Sequence, residues 1–280
     1  MKTRLILRAA LCMLAAGSIV SAAQTAPTQP EATQPHGPSK YLYLSNVSIK
    51  PGMEDSFIQN ESAEVQAVRE ANSPIHYFGM VGITGAPRAL FFAGFDSFAD
   101  LQKRHEQEMS DAKLQATLKA DNAAEVPSLA GVMGSIYMYR EDLSLNSALD
   151  ISQQRFFDIT LFHIANGQYQ DWEHLVKLYA KAYSSVANAH WAMFEKMYGE
   201  DSDRTFILVT PIKALGEEDQ SVIDSDNLPK TVGADQMQMM RELGSKTVES
   251  AESDLFAIVP QMSYVPDSWL KASPDFWGKK

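Results

Sequence analysis

Hydrophobic and polar positions alternate through Tyr41–Ile49 (YLYLSNVSI) and again through Arg155–Ile164 (RFFDITLFHI). A period of two is that of a strand with unlike faces. Each run meets a tight turn ending in glycine, Gly52 in one and Gly167 in the other, and each turn opens a helical pattern. Met53–Ala71 carries Phe57, Val65 and Val68 on one side, and Tyr169–Val186 carries Trp172, Leu175, Val176 and Tyr179. Both helical stretches close on Ala-Asn. A repeat of about a hundred residues is too long for a solenoid unit and implies two domains of one fold.

The remaining pattern extends the repeat. His76–Ile83 and Arg88–Phe95 read as strands around a hairpin turn at Thr84–Pro87. Asp96 or Ser97 caps a helix that begins at Phe98 and runs, broken, toward Ala124, and Val132–Arg140 is a fourth strand. In the second copy, His190–Met197 and Arg204–Pro211 are strands around a turn at Gly199–Asp203. An acidic loop, Gly216–Asn227, a helix over Ala234–Ala251 and a strand over Leu255–Val265 follow. Residues 40–141 and 153–268 thus each predict βαββαβ, the ferredoxin-like plan, in the α+β class. Residues 269–280, with Trp269, Phe276 and Trp277, are a tail expected to fold back on the body.

The strand–Pro–Gly–helix opening, the stretch RALFFAGFDSFADLQ and the repeated βαββαβ order resemble the dimeric α/β-barrel superfamily. That superfamily includes antibiotic-biosynthesis-monooxygenase-like, NIPSNAP-like and stress-responsive barrel proteins. The resemblance implies that the two units pack sheet to sheet and close a barrel within one chain. It implies no single activity, since its members include cofactor-free oxygenases, haem enzymes, isomerases and proteins without a known reaction.

Alternation splits each first strand into two faces. Leu42, Leu44, Asn46 and Ser48, with Phe157, Ile159, Leu161 and His163, form the more aliphatic face, expected to pack the helices. The opposite face, with Tyr43, Ser45, Asp158, Thr160 and Phe162, is then expected to look into the barrel and frame a pocket. Asp158, His190 and His76 are the candidate catalytic groups; Tyr43, Ser45, Thr160, Phe162, Tyr77 and Trp191 are candidate ligand contacts. The two histidines open equivalent strands, each followed by an aromatic, which also suits a shared structural role. His105 lies on an apolar helical face with Phe98 and Leu101, the place of a satisfied core histidine or of a haem ligand.

Composition narrows the setting. Residues 1–22 have a basic start (Lys2, Arg4, Arg8), an apolar stretch and a small-residue cleavage site, the pattern of a signal peptide. Residues 23–39 are proline-rich and read as a disordered tether. The expectation is a secreted, periplasmic protein. Cys12 is the only cysteine and falls in the signal, so the mature chain has no disulfide and no thiolate ligand. The formal charge is −11 overall and −14 once the three basic signal residues are removed, which disfavours nucleic acid and anionic membranes. No HExxH, cysteine-based metal site, P-loop, GxGxxG or GxSxG occurs, so no metal or nucleotide cofactor is expected, with haem a minor alternative.

Two functions follow. One is a barrel that holds a small apolar or aromatic molecule between its sheets, as a cofactor-free monooxygenase or isomerase. The other is a non-enzymatic binding or assembly module. Either is expected as a monomer with a pseudo-dimeric barrel or as a homodimer.

Overall fold

The computed structural model describes residues 37–200 and 204–278. The expected signal peptide, most of the expected tether and part of the expected Gly199–Asp203 turn lie outside them. The first half comprises β1 (Tyr41–Ile49), α1 (Glu54–Glu70), β2 (Tyr77–Gly82), β3 (Arg88–Phe95), α2 (Phe98–Ser110), α3 (Ala112–Glu125) and β4 (Leu129–Tyr139). The second comprises β5 (Phe156–Ile164), α4 (Tyr169–Tyr183), β6 (Ala192–Tyr198), β7 (Thr205–Ile212), α5 (Gly216–Val232), α6 (Ala234–Thr247) and β8 (Val248–Tyr264). Short helices α7 (Asp267–Ala272) and α8 (Pro274–Trp277) end the described chain.

Eight antiparallel strands close into one barrel in the order β1-β3-β2-β8-β5-β7-β6-β4. The halves meet at two seams, β2 with β8 (Met80 opposite Ile258) and β4 with β6 (Met138 opposite Glu195). Closure leaves no free sheet edge. The glycine turns work as the sequence suggests: Gly52 and Gly167 have φ of 80° and 74°, the left-handed region open to glycine. Glu54 and Asp55 in the first turn of α1 and Arg69 in its last suit the helix dipole.

The helix after Phe98 is broken, as expected, at Asp111, whose carboxylate accepts from Leu114 N at 2.9 Å and caps α3. Two expectations are corrected. The acidic stretch from Gly216 is helix α5, not a loop. Its first-turn acids face the positive end of the dipole, Glu217 Oε1 accepts from Lys213 N at 3.1 Å, and Leu228 buries the far end. The last strand begins at Val248, seven residues earlier than expected, where β-branched Thr247 and Val248 end the helix.

The face assignment of the first strands is reversed. Leu42, Leu44, Phe157 and Ile159 point into the barrel, where they join Met80, Leu90, Phe92, Phe194, Ile207, Val209, Phe256 and Ile258. Tyr43, Ser45, Asp158, Thr160 and Phe162 therefore lie on the outer face, toward the helices. A closed barrel interior meets side chains from every direction and takes the more aliphatic face, whereas a helix layer leaves seams that accept tyrosine and serine. The tail plugs one barrel end. Trp277 Nε1 donates to Ser152 O at 2.8 Å, and the Arg155 guanidinium lies 3.9 Å from the Phe276 ring centre.

Candidate functional site

On the outer face of the first half, α1, α2 and α3 roof a cavity of about 140 Å³. Strand alternation sends Tyr43 and Ser45 of β1 and Phe91 and Ala93 of β3 toward it. Helical spacing brings Glu61 and Glu64 from α1, and Leu101, Arg104, His105 and Glu108 from one side of α2. Ile75 and Tyr77 close it where the chain enters β2. Tyr43 lies over β4 at Gly134, where a Cβ would come within 2.5 Å of the phenol oxygen.

The polar groups here are deeply placed. Glu61 and Glu108 are 4% exposed, His105 8% and Ser45 fully buried. Ser73 Oγ donates to Glu108 Oε1 at 3.0 Å and accepts from Ile75 N at 3.2 Å, which pins the loop before β2 to α2. The Ser45 hydroxyl has no hydrogen-bond partner among the described residues. Nearby on α3, burial and then the charge of Glu64 raise Asp121 above the ordinary carboxylate range. An apolar cavity of about 150 Å³ accepts benzene, so this volume fits a single aromatic ring. A pocket with buried acids and a histidine can hold such a ring and exchange a proton with it.

Of the nine residues singled out from the sequence, Tyr43, Ser45 and Tyr77 line this cavity, and the other six lie elsewhere. His76 stacks on Tyr264 with ring centres 4.8 Å apart. His190 has each ring nitrogen 2.6 Å from a carbonyl, Asn188 O and Pro211 O, and so ties the chain entering β6 to the end of β7. Burial and then Asp254 raise Asp158; burial, Asp158 and Glu217 raise Glu218, while His190 acts in the opposite direction. Asp158 and His190 thus both act on the charge of Glu218, and neither lines the cavity. Thr160 shares a 2.7 Å hydrogen bond with Ser253, Phe162 packs on Trp172, and Trp191 Nε1 donates to Leu143 O at 2.9 Å.

Sequence reasoning missed Glu61 and Glu108 and placed His105 without its setting. The spacing of Leu101, His105 and Glu108 along one helical face was the available signal. Among the described residues no group of three or more His, Cys, Asp or Glu is placed to hold a metal ion. His105 would be the haem ligand the sequence allowed. It faces a space suited to one ring, bounded by Glu61 and Glu108, and these residues do not fit a porphyrin.

No family model and no curated protein sequence matches the chain. Solved structures do. A candidate monooxygenase from Fusobacterium nucleatum subsp. nucleatum superposes with a TM-score of 0.51 at 8% identity, over 78% of this chain and 91% of that one. An anthrone oxidase-like protein gives 0.49 at 12% identity, over 79% and 92%. A chlorite dismutase variant from Candidatus Nitrospira defluvii gives 0.48 at 10% identity, over 84% and 95%. At such identities the likeness speaks for the fold alone, and of these three only the first is close enough to bear on it. The fold is that of the dimeric α/β-barrel proteins; nothing in the likeness singles out NIPSNAP-like members.

Proposed function

We propose that the protein is a tandem of two ferredoxin-like units, secreted to the periplasm, whose first unit binds a small aromatic molecule beneath its helices. The observation that carries this reading is the burial of Glu61, His105 and Glu108 around a space of about 140 Å³ walled by Tyr43, Tyr77 and Phe91. The expected chemistry is that of a cofactor-free monooxygenase or isomerase. His105 would take the proton of an acidic ring hydroxyl, leaving a phenolate whose charge is shared with a ring carbon; that carbon would either add O2 and take the proton back as a hydroperoxide, which loses water to leave a quinone, or be reprotonated at carbon as an isomer.

Oxygen uptake with catechol and hydroquinone, run beside calorimetric binding, tests this. Saturable uptake that falls about 100-fold or more in His105→Gln, the range expected for a lost general base, supports the reading. Binding without uptake or isomerisation favours the binding-module function instead, and absence of binding contradicts the site.

A further inference from the structure

The barrel itself holds a second space. Its plugged end is filled by Phe78, Phe92, Phe157 and Trp277. Toward the other end the inward side chains shorten to Leu44, Leu90, Ile159, Leu161 and Ile207, and a cavity of about 450 Å³ remains. Pockets of about 300–1,000 Å³ take small organic ligands, most often with an apolar lining and a few placed polar groups.

Most polar groups at this mouth are already engaged. Asp254 binds the Arg88 guanidinium through Oδ2 and accepts from Thr84 Oγ1 at 2.8 Å. Lys196 Nζ donates to Glu200 O at 2.9 Å and lies 5.7 Å from the Tyr137 ring centre. His163 Nδ1 is 3.3 Å from Thr205 Oγ1. Two buried atoms have no hydrogen-bond partner among the described residues: the Arg88 Nε–H donor and the Asn46 Oδ1 acceptor. Both residues line the cavity. Asn46 pairs across β1 and β3 with Leu90, and Arg88 pairs with Ser48, so the two stand diagonally on one face.

We propose that the open end of the barrel is a ligand site separate from the helix-roofed cavity, which takes an alcohol with its apolar body inward and its hydroxyl between Asn46 and Arg88. A hydroxyl is the smallest single group that both accepts from Nε–H and donates to a carbonyl oxygen. A carboxylate suits the donor but repels the Asn46 oxygen and meets Asp254. Left unmade, each of the two hydrogen bonds is costly at a buried site.

Fluorescence of N-phenyl-1-naphthylamine with the full chain tests the site, with 1-decanol and decanoate as competitors. Saturable dye binding is expected, displaced by decanol at a concentration about 10-fold or more below that for decanoate. Ser135→Phe, which places a ring in the lumen, is expected to weaken dye binding about 10-fold or more, whereas Leu101→Trp, which fills the helix-roofed cavity, leaves it unchanged. Asn46→Leu keeps the fold without an unmade amide contact and is expected to erase the preference for decanol while the dye still binds. No saturable dye binding, or loss in Leu101→Trp but not in Ser135→Phe, overturns the site. A decanol preference that survives Asn46→Leu overturns the hydroxyl assignment.

Discussion

The two halves share one plan and treat the layer between helices and sheet differently. In the first half Val47 faces Ala89 across β1 and β3; in the second Phe162 faces Phe206 at the matching pair of β5 and β7. Counted from the glycine turns, Glu61 of α1 corresponds to Val176 of α4, and both are buried. The second half is closed by aromatic packing: Phe162 on Trp172 at 4.8 Å and Trp172 on Phe206 at 5.7 Å between ring centres. The first keeps a cavity edged by carboxylates and His105. One half of the barrel can thus serve as scaffold while the other keeps room for a ligand, because few side-chain sizes decide whether the same layer is filled.

The comparison can be broken from the packed side first. Trp172→Ala is expected to cost about 4 kcal/mol in urea unfolding, since it opens a void under α4 that its aromatic neighbours cannot refill. A loss below about 1 kcal/mol would mean that the second half is not tightly packed. Next is Arg140, held by Tyr169 Oη at 2.6 Å, Glu195 Oε2 at 2.7 Å and Asp142, with Glu173 as a fourth partner. Burial alone would weaken its charge, but the hydrogen bonds it donates to Asp142, Glu173 and Glu195 more than offset this. Arg140→Met is expected to cost about 3 kcal/mol at neutral pH. The hydrogen bond from Arg140 lowers Asp142, so that part of the stability is present above the ordinary carboxylate range and is lost as pH falls through the lowered value. In Arg140→Met this contribution to acid sensitivity should disappear; an unchanged acid limb would contradict it.

Smaller effects sharpen the open side. Ser45→Ala removes a buried hydroxyl that has no partner in the described structure and is expected to stabilise by about 1 kcal/mol in denaturant titration. A loss of the same size would show that the hydroxyl is bonded in solution. The last is Asp158→Asn. Burial and Asp254 raise Asp158, so its proton is held more tightly in the folded chain and stability falls as pH rises through the ordinary aspartate range to the raised value. The variant should melt about 2 °C higher at neutral pH, with the gain fading in acid. A gain that persists in acid would rule out the charge as its cause.

The glycine turns and the strands Tyr41–Ile49 and Arg88–Phe95 were legible because alternation in the one, a short apolar run in the other and left-handed turns are local properties. The direction of each strand face was not. Tyr43 and Leu44 differ too little in polarity to decide it, and barrel closure, a property of all eight strands, settles the matter in favour of the larger apolar core. The acidic helix α5 was hidden because its acids suggest solvent, while the dipole and Leu228 that support it act over the whole segment. Nothing local in the sequence sets Glu61 and Glu108 apart from surface carboxylates; only the packing of α1, α2 and α3 buries them. Asking which residue of the second half matches each of the first would have set Glu61 against Val176 and marked the odd layer.

Methyl NMR of the full chain with added phenol tests the central contrast most directly. The account predicts saturable shifts at Leu101 beside the first-half cavity and none at Leu175 under the packed second half. Shifts at Leu175 with none at Leu101 would contradict it, as would no saturable shift at either.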